Sequence, residues 1–309
     1  MIVSGGEALV DLVPAGEDGN LLAPRLGGGP YNVALATARL GMPTAFLSRV
    51  STDAFGDALV RRLEESGVDT SLVQRGPEPT TVAVVSLDEE SNARYSFYAE
   101  GTADRLVADP GPLPKETTVL SVGTLGMVLQ PGAQAYEAVL RRESRRGVLT
   151  ALDPNIRPGM ITDPGGYRAR FLSWLPYVHL LKLSVEDARW LTGVTDPDGI
   201  MDTARSWLDE GPQAVVLTKG SEGMSLITSS GVDVTVPTAA AKVVDTVGAG
   251  DTVQGAVLAW LVCNQVKDTS VLSANDCRDM LAFAADAAAV TVSRSGAEPP
   301  TVEELRNRL

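Results

Sequence analysis

Asp245-Thr246-Val247-Gly248-Ala249-Gly250-Asp251-Thr252 runs directly into an apolar stretch from Val253 to Cys263. The stretch predicts a buried helix over 250–263, with the small residues forming a turn at its N-terminus. Unpaired N–H groups and the positive end of the helix dipole make such a turn an anion site. Asp251, just inside the turn, competes with a bound anion unless it has a second role. A carboxylate there accepts a proton from a substrate hydroxyl while the amides of Gly248, Ala249 and Gly250 hold a phosphoryl group. The stretch is not a Walker A loop, because no Lys-Ser or Lys-Thr follows the glycines. It is not a dinucleotide fingerprint, because the further glycine is missing at the required spacing. Taken alone, it reads equally well as a glycine turn with a first-turn acid.

A second segment changes that balance. Gly27-Gly28-Gly29-Pro30-Tyr31-Asn32 opens a helix predicted over 32–40. Backbone there can approach a ligand closely, and Asn32 offers both a donor and an acceptor.

Between the two, short β-branched runs alternate with helix-length segments. Strands are predicted over Ala45–Val50, Val119–Val122, Val148–Leu152, His179–Leu183 and Ala214–Thr218. Helices are predicted over 54–66, 133–145, 199–208 and 276–292. This alternation predicts a mostly parallel sheet covered on both faces, with ligands beyond the carboxyl ends of its strands. Asp153, Asn155 and Lys219 follow strand runs and fall on that rim. Two hairpins break the alternation. One joins Thr80–Leu87 to Arg94–Tyr98 across Asp88–Asn92, and the other joins Leu9–Val13 to Asn20–Pro24 around Gly16–Gly19. They predict a small sheet beside the main one. A single domain over 1–309, with lid segments near 9–25 and 80–100, accommodates the pattern.

Composition narrows the function. Of 309 residues 44% are hydrophobic and 21% charged, which is globular composition. Twenty-six basic against 39 acidic residues give a net charge of −13, with no clustered positive footprint for nucleic acid. Arg141, Arg142, Arg145 and Arg146 read as a solvated helix face. Cys263 and Cys277 are too few for a disulfide framework and read as small core residues, with a bond between them left open. The one histidine, His179, lies in an apolar run and reads as structural, so a His-containing triad is not expected. No apolar run is long enough to span a membrane and no leader pattern opens the chain, so a cytoplasmic location is expected.

The two glycine segments together resemble the paired signatures of the ribokinase-like (PfkB) sugar kinase family. The first resembles its Gly-Gly-x-x-x-Asn sugar signature, the second its Asp-Thr-x-Gly-Ala-Gly-Asp catalytic signature. Gly6-Glu7-Ala8-Leu9-Val10-Asp11 resembles the first strand of the fructokinase branch. Phe97-Tyr98, Gly101–Asp104, Asp153-Pro154-Asn155-Ile156-Arg157-Pro158, Lys182–Asp187 with Trp190–Gly193, and Ser295–Pro300 are also similar to that branch. The resemblance covers nearly the whole chain.

The resemblance implies a three-layer α/β/α fold with a small β-sheet lid, and ATP-dependent phosphorylation of a primary sugar hydroxyl. It implies Asp251 as base and Gly248, Ala249 and Gly250 as anion hole. Asp11, Gly28, Gly29, Asn32, Phe97, Asp153, Asn155 and Arg157 would line the sugar site. Ser184, Thr218, Lys219, Gly220, Gly223 and Ala284 would line the nucleotide site. The family's Asn-x-x-Glu element, which organises Mg²⁺ through water, appears here as Ser184-Val185-Glu186-Asp187, so either Glu186 or Asp187 serves Mg²⁺. Asp245, Val247, Thr291 and Gly296 match a monovalent cation site, occupied by K⁺ in many relatives. The resemblance also implies a homodimer through the lid. Fructose is the leading substrate. 2-Keto-3-deoxygluconate is the alternative, with Arg157 facing its carboxylate, and other ribokinase-like sugars follow. A sugar-binding protein without catalysis ranks below these, because Asp251 and its small neighbours are intact.

Overall fold

The computed structural model describes residues 1–15, 21–87 and 93–306. The hairpin tips expected at 16–19 and 88–92 lie outside the described residues. In chain order the strands are Ile2–Gly5 (β1), Leu9–Ala15 (β2), Leu21–Gly27 (β3), Thr44–Ser51 (β4), Val68–Asp69 (β5), Val73–Gly76 (β6), Thr81–Leu87 (β7), Ala93–Tyr98 (β8), Val119–Gly123 (β9), Leu149–Asp153 (β10), Leu180–Ser184 (β11), Ala214–Thr218 (β12), Met224–Thr228 (β13) and Asp233–Val236 (β14). The helices are Gly29–Arg39 (α1), Ala54–Glu65 (α2), Gly132–Arg145 (α3), Pro164–Trp174 (α4), Val185–Thr192 (α5), Pro197–Leu208 (α6), Ala249–Cys263 (α7), Ala274–Val292 (α8) and Val302–Arg306 (α9).

Ten strands form the main sheet in the order β14-β13-β12-β11-β10-β9-β1-β4-β5, with β6 also on β4. From β12 through β6 every pairing is parallel; the β12–β13 and β13–β14 pairings are antiparallel, so β13 alone runs against the rest of the sheet. The central strands are buried along their length, as a sheet covered on both faces requires. One face packs on Tyr136 of α3, Tyr167, Phe171 and Trp174 of α4, Leu191 of α5 and Trp207 of α6. The other packs on Val33 of α1, Val257 and Leu261 of α7, and Met280 and Leu281 of α8. Leu59 and Leu63 carry α2 onto Tyr31 and Phe46 beside it.

A second sheet of four strands has the order β3-β2-β7-β8. Each outer pair is an antiparallel hairpin, and β2 joins β7 in parallel with Leu9 opposite Thr81. The predicted hairpins thus merge into one lid sheet. One expectation needs correcting. Gly6–Asp11 is not the first strand: β1 ends at Gly5, the chain turns at Gly6 (φ 155°), and Leu9 already belongs to the lid.

Capping explains two helices that the alternation did not predict. Asp163 accepts from Gly166 N at 2.9 Å with Pro164 at the first position of α4. Ser184 and Asp187 form a capping box that starts α5. His179 is structural: its Nδ1 lies 2.7 Å from Thr150 Oγ1 and 3.1 Å from Thr150 N. The cysteines are free, and only Cys277 is buried; Cys263 is exposed at the end of α7, against the core expectation. No helix among the described residues is long and apolar enough to cross a membrane.

Candidate active site

The first turn of α7 forms one wall of a cavity of about 270 Å³ between the main sheet and the lid. Gly248 precedes the helix in the left-handed region (φ 76°), and a Cβ there would lie 2.5 Å from Ala297 Cβ. Only glycine suits both the dihedral and the contact. Asp251 is buried, and Asn32, from the first turns of α1, donates through Nδ2 to its Oδ2 at 2.8 Å. Burial pushes the Asp251 carboxyl up from its ordinary value, and the Asn32 donor pulls the other way. Asp11 of β2 faces the same space. Burial raises its carboxyl to about 6, against the pull of Arg157.

Gly28 and Gly29 line the cavity from the start of α1, and Thr124 and Leu125 from the turn after β9. Asn155, Arg157, Tyr95 and Phe97 complete it, with Tyr95 and Phe97 stacked at 6.1 Å on the lid. Thr124 (φ 51°) and Asn155 (φ 38°) both hold the left-handed backbone that non-glycine residues seldom adopt, a strain that clusters at functional sites. Arg157 Nη1 donates to Asn155 O at 3.0 Å and to Asn155 Oδ1 at 2.8 Å.

A second cavity, about 580 Å³ and largely apolar, lies on the other side of the same helix start. Thr218, Gly220 and Gly223 border it at the β12–β13 turn. Ala285, Ala288, Ala289 and Val292 of α8 border it opposite. Thr246 and Gly250 line both cavities, so the α7 turn is their common wall.

The pfkB family carbohydrate kinase model matches residues 1–304. The fructokinase of Rhizobium leguminosarum bv. trifolii is 41% identical over 267 residues, covering 84% of this chain and 79% of the relative. The chain belongs to the pfkB family of carbohydrate kinases. The structure of a fructokinase from Xylella fastidiosa with bound ATP matches with a TM-score of 0.89 at 26% identity, covering 99% of this chain and 97% of that one. A fructokinase from Vibrio cholerae O395, in a form with fructose, ADP and calcium ion bound, matches with a TM-score of 0.86 at 26% identity, covering 99% and 97%. The fold is the ribokinase-like α/β/α sandwich with a lid sheet, and the protein is an ATP-dependent sugar kinase of the pfkB family.

Not every residue that the pfkB signatures single out falls on a cavity wall. Asp153 lies behind the sugar-side cavity. Its Oδ2 accepts from Lys182 Nζ at 2.7 Å, while its Oδ1 has no partner among the described residues, and it borders a small gap of about 10 Å³ shared with Gly29, Thr124 and Asp251. Burial lifts its carboxyl to about 6 even beside that ammonium. Ala284 is fully buried against the sheet, and its neighbours Ala285, Ala288 and Ala289 face the second cavity instead. Lys219 is half-buried and lies outside that cavity's lining, flanked by Thr218 and Gly220, which belong to it.

The expected cation residues divide in the same way. Asp187 is buried, accepting from Ile156 N at 2.6 Å and from Ser184 N and Oγ at 2.9 and 2.7 Å. Ser184 and Asp187 therefore cap α5, whereas Glu186 is exposed and free of such bonds among the described residues. Asp245 accepts from Val247 N at 3.0 Å and Gly296 N at 2.8 Å, which brings those two segments together. Thr291 is fully buried; its hydroxyl meets Thr252 and its carbonyl accepts from Arg294 N. No cluster of three acidic, histidine or cysteine ligands exists among the described residues. Mg²⁺ needs none when phosphates supply most of its oxygens, and the open carboxylate of Glu186 fits that mode.

Several site residues carried no individual role in the sequence reading, among them Tyr95, Leu125 and Thr246 of the cavity lining and the three polar groups that follow. Glu7 is buried on the sugar-side wall. Thr124 shares that wall. Lys182 is a buried ammonium, and a Cβ at Gly250 would lie 3.1 Å from its Nζ. Burial works against the Lys182 charge, yet Asp153, with Asp251 and Asp187, holds it above the usual lysine value. A lysine inside an otherwise apolar strand, Leu180–Ser184, is the one signal that pointed to it.

Proposed function

We propose that the protein is a fructokinase, transferring the γ-phosphoryl group of ATP to a primary hydroxyl of fructose. The observation that carries this reading is the common wall at Thr246 and Gly250. A sugar in the polar cavity and a nucleotide in the apolar one would meet only there, where the Gly248–Gly250 amides and Asp251 also lie. The sugar oxygen attacks the γ-phosphorus, its proton passes to Asp251, and the bond to the bridging oxygen breaks to release ADP. The amides take up the charge on the transferring group.

Mg²⁺ bound to the triphosphate would neutralise phosphate charge; Glu186, exposed, would organise its waters, whereas Asp187 is engaged in capping α5. The Asp245–Val247 and Gly296 segments, tied together through the Asp245 carboxylate, would hold a monovalent cation such as K⁺. Exposed Leu21, Leu22 and Tyr98 on the lid support pairing with the lid of a second copy.

A second reading, 2-keto-3-deoxygluconate kinase, draws on Arg157. Only its Nη1 is engaged among the described residues, which leaves the rest of the guanidinium for a substrate carboxylate. ADP release with fructose, 2-keto-3-deoxygluconate, ribose, glucose, adenosine and aminoimidazole riboside, with Mg²⁺ and K⁺ present, separates these readings. The highest kcat/KM with fructose supports the first. Preference for the keto-acid replaces it with the second, and turnover of none rejects both.

A further inference from the structure

Glu7 has no part in the phosphoryl transfer described above, yet it is 2% exposed and sits where the chain crosses from β1 to the lid. Its Oε1 accepts from Gly29 N at 2.9 Å, and its Oε2 accepts from Gly126 N at 3.0 Å. Gly29 opens α1, and Gly126 belongs to the turn after β9. Their neighbours Gly28, Thr124 and Leu125 line the sugar-side cavity. One carboxyl group therefore joins the two segments that carry this part of the wall.

The segments are packed tightly around it. A Cβ at Gly28 would lie 2.6 Å from Glu7 O, one at Gly29 2.5 Å from Thr124 Oγ1, and one at Gly126 2.8 Å from Gly6 Cα. Tyr136 Oη donates to Gly6 O at 3.0 Å and fixes the chain just before Glu7. Thr124, two residues before Gly126, holds φ 51°, which costs energy unless its surroundings impose it. A carboxyl keeps a lone pair on each oxygen whether ionised or not. A carboxamide keeps one on a single atom and turns an N–H toward the other amide.

We propose that Glu7 is a positioning residue for the sugar, setting the spacing between the Gly28–Gly29 and Thr124–Leu125 segments by accepting from an amide of each. It acts through those segments and does not touch the phosphoryl group. The inference rests on the sugar-kinase reading of this cavity.

The test is steady-state kinetics of Glu7→Gln and Glu7→Asp, varying sugar and ATP separately, with the sugar that the wild type turns over best. The expected result is a rise of about tenfold or more in sugar KM for Glu7→Gln, the scale of one lost buried hydrogen bond. ATP KM stays at the wild-type value and kcat changes far less, because the nucleotide-side cavity shares only Thr246 and Gly250 with the sugar-side one and neither belongs to these segments. Glu7→Asp keeps both acceptors on a shorter reach, raises sugar KM to a lesser degree, and gives the reading if Glu7→Gln is insoluble. A lower melting temperature with unchanged sugar KM in the soluble variants, or equal rises in both KM values, overturns the inference. Wild-type turnover tests the sugar-kinase reading separately: if the wild type phosphorylates no sugar, that reading fails and the inference falls with it.

Discussion

Asn32 and Asp251 lie 219 positions apart in the chain and are joined by a hydrogen bond of 2.8 Å at the floor of the sugar-side cavity. The glycine turn of α1 and the glycine turn of α7 thereby meet in one pair of side chains. Asp251→Asn keeps the shape but removes the proton acceptor. Its kcat is expected to fall by about 10²–10⁴-fold, with sugar affinity by calorimetry within a few-fold of wild type. Near-normal turnover would remove Asp251 from the role of base.

Burial lifts both Asp251 and Asp11, the latter to about 6, so the site loses its negative charges at higher pH than an exposed carboxylate would. A base works only when ionised, so kcat/KM should decline as pH falls, at a pH above the ordinary carboxylate range. The Asn32 donor favours the ionised form of Asp251. Asn32→Ala should therefore move the acid limb further upward. An acid limb at or below pH 4 in the wild type would contradict this.

Lys182 and Asp153 form a buried pair with side chains 5% and 8% exposed. Removing one partner strands the other charge. Lys182→Met should cost about 3–5 kcal/mol in urea unfolding. Adding Asp153→Leu should recover much of that loss, since the carboxylate paired directly with Lys182 is then gone as well. A double variant no more stable than Lys182→Met would mean that the loss came from packing.

Gly248→Ala adds a methyl group at φ 76° and 2.5 Å from Ala297 Cβ. The turn must shift, which costs about 1–3 kcal/mol of stability. The displaced amides should lower kcat by about 10²-fold. A variant with wild-type kcat would show that the Gly248–Ala249 amides are not aimed at the transferring group.

Much of the fold was legible because the central strands are apolar runs of five to eight residues separated by helix-length segments. α4 was not, because Pro164-Gly165-Gly166 reads as a loop, and only the Asp163 cap shows that it starts a helix. The path of the first strand was misread because Val3 and Leu9 look alike as apolar residues, while the turn at Gly6 sends them to different sheets. At the site, Asp251, Asn32 and the glycines stood out through their spacing. The Asp153–Lys182 pair was not legible, because nothing in the Asp153 segment reveals a lysine one strand away. Ala284 differs from Ala285 only by a 100° step around the helix, which no local composition encodes.

The lid is built from two excursions of the chain, β2–β3 and β7–β8, each of which begins and ends in the main body. It is an elaboration of connections rather than a module on a tether, and the passages that anchor it border the cavity through Glu7 and Gly28. A mutation that retunes how the lid rides on the body therefore also reshapes what the body recognises. In this architecture the seating of the lid and the shape of the cavity are inherited together, and neither can drift far without the other.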